Sequence, residues 1–137
     1  VDTEDDGQAV SAEPTPTFEE ARSTALSITY DALFRNNEEY VGKTVMFSGE
    51  LAQVSDRRGF AAGKDKYLLR INVTKGDFSW EDDIRLDYQG PRFLEDDLVE
   101  FVGVVEGLWE YRAVLGNSRT IPHIKAIRLQ LLEDDAP

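Results

Sequence analysis

Between Thr44 and Leu132 apolar and polar residues alternate in five short stretches separated by glycine-bearing turns. A period of two sends one side-chain face into a core and the other into water, so each stretch predicts a half-buried strand. Val45, Phe47, Gly49 and Leu51 share one face of the first, opposite Met46, Ser48 and Glu50. Tyr67, Leu69, Ile71 and Val73 do so in the second, opposite Leu68, Arg70 and Asn72. Ile84, Leu86 and Tyr88 mark a short third strand, and Val99, Phe101, Gly103 and Val105 a fourth. The fifth covers Ile121 to Leu132, and its pattern changes phase near Ala126–Ile127, which predicts a bulge. Leu108–Leu115 also alternates, either lengthening the fourth strand's hairpin or adding a strand before Gly116–Asn117. Glycines at 49 and 103 suit the tight coiling of a small barrel.

Ahead of the strands the period shifts toward helix. Thr17 and Glu20 form a capping box, with Phe18, Ala21, Ala25 and Leu26 on one stripe. Thr29 caps a second short helix, with Asp31 in its first turn and Leu33 and Phe34 as its apolar side, ending near Asn36–Asn37. Five strands in this length predict a mainly β chain, a five-stranded OB-fold-like Greek-key barrel with an N-terminal helical segment. The link between the third and fourth strands, Gln89–Asp97, contains Pro91 and reads as a loop where this fold usually has a helix. The N-terminal helices are therefore expected to plug the barrel instead.

Composition divides the chain further. The net charge is -12, from 27 acids and 15 bases. Seven acids and no base fall in residues 1–20 and three more in 133–137, leaving 17 acids against 15 bases in 21–132. The expected organisation is thus a disordered acidic spacer at 1–16, a nearly neutral domain at 17–132 and an acidic tail at 133–137. Asp2, Glu4, Asp6, Gly7 and Glu13 match an EF-hand loop by position. No incoming helix is expected ahead of Val1 to hold such a loop, and Pro14 and Pro16 spoil the one that would follow, so no metal site is expected. With no cysteine, disulfides and thiolate zinc sites are excluded, and no apolar run is long enough for a membrane helix. The first residue being valine, the expectation is a processed chain.

Tyr30–Asp31–Ala32–Leu33–Phe34–Arg35–Asn36, followed by Tyr40–Val41–Gly42–Lys43–Thr44–Val45, resembles a motif of uncharacterised bacterial OB-fold proteins. Many of these are surface lipoproteins of Gram-positive bacteria. Their motif has a proline where this chain carries Asn37. The likeness continues through Phe93–Val99, Val114–Leu115–Gly116 and Thr120–Ile121–Pro122, about residues 30–130 in all. The same group is similar to the C-terminal domain of the clostridial toxin-operon negative regulator, for which single-stranded DNA binding has been proposed. The resemblance implies an OB-fold and an outer-surface location, and it carries over no catalytic residue.

Candidate chemistry is sparse. His123, the sole histidine, lies between apolar strand residues and reads as structural. Asp82–Asp83 and Asp96–Asp97 are adjacent pairs; neighbouring strand residues face opposite ways, so turn and capping roles account for them better than an acid–base couple. The sequon Asn72–Val73–Thr74 falls inside a strand. Neither catalysis nor a cofactor is expected. Binding is better served. Arg57, Arg58, Lys64, Lys66, Arg70 and Lys75 crowd the first interstrand loop and the second strand, where OB-folds present ligands. Phe60, Tyr67, Phe78 and Trp80 lie among or beside them, and Tyr67 falls in phase with the core. The expected ligand residues are Arg57, Arg58, Phe60, Lys64, Lys66, Arg70 and Trp80. The expected role is a monomeric, non-enzymatic extracytoplasmic module that meets a protein or surface ligand and touches a membrane only through an upstream anchor. The alternative is a single-stranded nucleic-acid-binding regulator in the cytoplasm, using the same bases and aromatics.

Overall fold

The computed structural model describes residues 17–56, 66–112 and 116–132. The spacer at 1–16 with its EF-hand-like string, and the tail at 133–137, lie outside these residues. Five strands carry the architecture: β1 Thr44–Asp56, β2 Lys66–Lys75, β3 Trp80–Gln89, β4 Leu98–Arg112 and β5 Ser118–Leu131. Their order in the sheet is β1-β2-β3-β5-β4, and β1 also pairs with β4, which closes a barrel. This is the OB-fold order, with every contact antiparallel except β3–β5. A two-residue strand, Leu26–Ser27, adds in parallel to β1 at Val45 and Met46.

Alternation places the core as the pattern requires. Val45, Leu51, Leu69, Ile71, Ile84, Leu86, Val99, Phe101 and Ile124 are buried together. The barrel is tightly coiled: a Cβ at Gly49 would overlap the Asn72 carbonyl, and one at Gly103 would sit 2.6 Å from the Lys125 carbonyl oxygen. Beside Gly103 the β4–β5 register slips by one residue, so Ile127 is the extra residue of a bulge. Leu108–Arg112 lengthens β4 and pairs with Ser118–Pro122, making a hairpin arm and no separate strand. Two outer-face positions are buried as well, Val102 of β4 and Leu68 of β2. Leu68 lies opposite Asp87.

The helices form where their caps predict. Helix α1, Phe18–Ser23, has the Thr17–Glu20 capping box, and α2, Tyr30–Arg35, is capped by Thr29. A further turn, α3 Asn37–Tyr40, follows at once. Phe18 and Ala21 lie against Val102, Met46 and Ile127 on the outside of the wall. Leu33 enters the main core, whereas Phe34 stays exposed, edge-on to Tyr30. Asn37 donates to the Gly107 carbonyl (3.3 Å) and Tyr30 feels the charges of Asp82 and Asp83, so α2 and α3 sit at the end where β3 begins. At the opposite end Gly90–Asp97 is a loop, and no helix covers it among the described residues.

Candidate ligand groove

Two surfaces of the barrel gather charged and aromatic residues. The first is the outer face of β2 and β3, where alternation lines up Arg70 with Asp83, Arg85 and Asp87. Arg70 pairs with Asp83, donates to the Tyr111 hydroxyl (2.7 Å) and lies over the Tyr111 ring. Arg85 donates to Asp87 (2.9 Å) and lies over Trp109, whose ring stacks on Tyr111 at 4.8 Å. The hairpin arm thus lays two aromatic rings against two arginines, each with its own carboxylate. Both arginine side chains are little exposed, 17% and 16%. Their charge is spent inside the molecule, leaving little for a polyanion.

His123 belongs to the same network. Its Nε2 lies 2.9 Å from Asp87 Oδ2, across the β3–β5 contact that holds only Arg85–Asp87 against His123–Lys125. Burial pushes the Asp87 carboxyl up, but hydrogen bonds from His123 and Arg85 outweigh it and hold the group below the ordinary carboxylate value. His123 thus ties β5 to β3 through Asp87. Asp97 accepts from the Leu94 N–H (2.9 Å) and Asp96 takes a positive φ, so that acid pair makes a turn. In the other acid pair Asp83 is matched to Arg70 and Asp82 takes a positive φ. Among the described residues no three potential ligands gather around a metal position, and no helix is long and apolar enough to cross a membrane.

The second surface is a groove of about 860 Å³ at the end without a helix. It opens where β3 and β5 diverge after the Asp87–Lys125 rung. Tyr67, Tyr88, Phe93 and Leu129 supply its apolar side, with Tyr67 and Tyr88 stacked and Phe93 edge-on to Tyr88. The Tyr88 hydroxyl donates to the Pro91 carbonyl (2.8 Å), fastening the loop to the strand end. Lys66, Lys125 and Arg128 line the other side and make no ion pair among the described residues. Asp87 and Glu106 also border it, but Asp87 is already held by Arg85 and His123.

The ligand residues expected from sequence separate on this map. Arg57, Arg58, Phe60 and Lys64 lie outside the described residues. Lys66 lines the groove; Arg70 is bound up in the outer face. Trp80 pairs with Lys75 at the β2–β3 turn, whereas Lys66 pairs with Gln89 at the far end of the ribbon. Nine residues of strand at roughly 3.3 Å each set the two about 30 Å apart. Lys66 and the Phe78–Trp80 turn therefore lie at opposite ends of the β2–β3 ribbon, and Phe78 is wholly exposed. Lys125, Arg128 and Phe93 had no signal of their own, because their meeting depends on how far β3 and β5 stay paired.

No protein family matches the sequence, and no curated protein does. Among solved structures the chain is similar to the mitochondrial single-stranded DNA binding protein Rim1 of S. cerevisiae. That match has a TM-score of 0.41 at 12% identity, over 70% of this chain and 99% of that one.

Proposed function

We propose that this chain is a non-enzymatic binding module whose ligand enters the groove between β3 and β5 and is negatively charged. One observation carries the reading: among the described residues Lys66, Lys125 and Arg128 have no ion-pair partner around an aromatic floor, while the arginines of the outer face are matched internally. A concave site with an apolar floor and a few convergent charges is the usual form of a binding pocket. The extracytoplasmic setting rests on the resemblance to surface lipoproteins; a leader ending in a lipidated cysteine upstream of Val1 in the source protein would support it. The groove itself is tested by exchanging its charges. Lys125→Glu with Arg128→Glu is expected to abolish binding of anionic ligands without unfolding the chain, and unchanged binding would reject the site.

Single-stranded nucleic acid is the second reading. Cations beside stacking rings favour it, since each stacked base is worth about 1–3 kcal/mol. Titration with a labelled oligothymidylate at several salt concentrations decides: this reading requires affinity that falls steeply with salt and depends on Arg128. Absence of binding at low salt would remove it.

A further inference from the structure

We infer that the groove takes an extended peptide strand of a partner protein, added to the edge of β5 that no described strand occupies, with apolar and acidic residues in alternation. The inference rests on the groove reading above and concerns what fills it. Beyond Lys125, β5 continues for six residues, Ala126–Leu131, paired with β4 on one edge. No strand among the described residues occupies the other edge, and Ala126–Leu129 of that edge line the groove. Backbone N–H and C=O groups along such an edge need partners, and an incoming strand supplies them in a row.

The side chains around this edge are sorted by face. After the bulge, Leu129 and Leu131 stand opposite Phe101 and Val99 on the inner side, and Arg128 stands opposite Val102 on the outer side. Lys66 and Lys125 also point outward by alternation, since their neighbours Tyr67 and Ile124 pack inward. The inner side is apolar: Phe93 and Leu129 lie in the groove, and Leu131, two residues on from Leu129, is 55% exposed. A strand laid along β5 would alternate its own residues between these sides. Its inward residues would meet leucine and phenylalanine, and its outward residues would meet Lys66, Lys125 and Arg128. Carboxylates complement that row of charge, whereas a basic peptide would face uncompensated cations. A polynucleotide would use the cations and leave the backbone edge unpaired, so the edge favours peptide.

Hydrogen exchange on the full chain tests this, using a short blocked peptide of alternating valine and glutamate as the probe. The expected result is slowed exchange, by about tenfold or more, at those amides of Ile127–Leu131 that face away from β4. A matching valine–lysine peptide is expected to give none. Arg128→Gln, an exposed and mild change, should weaken the glutamate peptide severalfold; Lys125→Glu with Arg128→Glu should abolish protection, with slow exchange at Ile71 and Ile84 verifying the fold. Protection by both peptides alike would overturn the acidic preference and with it the inference. If oligothymidylate binds in an Arg128-dependent way while no peptide protects the β5 edge, the strand-addition idea falls and the groove reading stands. If neither probe responds to Arg128 or Lys125, both fall.

Discussion

The outer face of β2–β3 and the groove at the barrel's open end carry similar numbers of cations and aromatic rings, yet they are opposites electrostatically. On the outer face Arg70 and Arg85 each have a carboxylate, an aromatic ring and little exposure. At the groove Lys66, Lys125 and Arg128 line a cavity with no ion-pair partner among the described residues. The lesson is that a run of basic residues does not by itself mark a binding surface. What matters is whether neighbouring strands bring acids to meet it. Strand β3 does this for Arg70 through Asp83, and no described residue does it for Arg128.

The contrast can be attacked from both sides. The largest effect is expected from Asp83→Ala, which strands the mostly buried Arg70 guanidinium; breaking such a pair costs about 3–5 kcal/mol. A urea midpoint equal to the parent's would show that the outer face is not self-sufficient. Trp109→Ala removes the stack on Tyr111 and the ring over Arg85, a loss of about 1–3 kcal/mol, read in the same melts. Titration sharpens the picture further. Burial, with Asp82 and Asp83 nearby, pushes the Tyr30 hydroxyl from 10.0 up to about 12. A raised folded-state value means stability present below pH 10 and lost as pH climbs toward 12, and Tyr30→Phe should flatten that alkaline limb. Asp87 works in the other direction. Its lowered value gives stability that is present above the ordinary carboxylate range and disappears as pH falls through the folded value, so Asp87→Asn should blunt the acid limb. The smallest change is expected at the groove: Arg128→Gln should alter stability by less than about 0.5 kcal/mol, because an exposed, unpaired cation contributes little to folding.

How much of this was legible in sequence depends on the range of the interaction. Caps and alternation are local, and the Thr17 box, the Thr29 cap, the five core faces and the bulge at Ile127 all follow from neighbouring residues. Pro91 likewise announced a loop in place of a helix. Its corollary, a barrel end that no described helix covers, depends on where the N-terminal helices go, and α2 sits at the other end. Antiparallel geometry alone separates Lys66 from Trp80, since a hairpin's turn and its open end lie a strand apart. The fate of Arg70 was not legible. Asp83 lies in the strand alongside, and Tyr111 arrives from an arm whose path depends on the whole closure.

Among the described residues the backbone pairing of β3 with β5 is three parallel rungs, clasped by Arg85, Asp87 and His123. That seam is the thinnest part of the ring, and thermal breathing of the native state is expected to begin there. A guest lodged just beyond it would touch both lips and act as a staple, so occupancy would be felt as rigidity far from the guest itself.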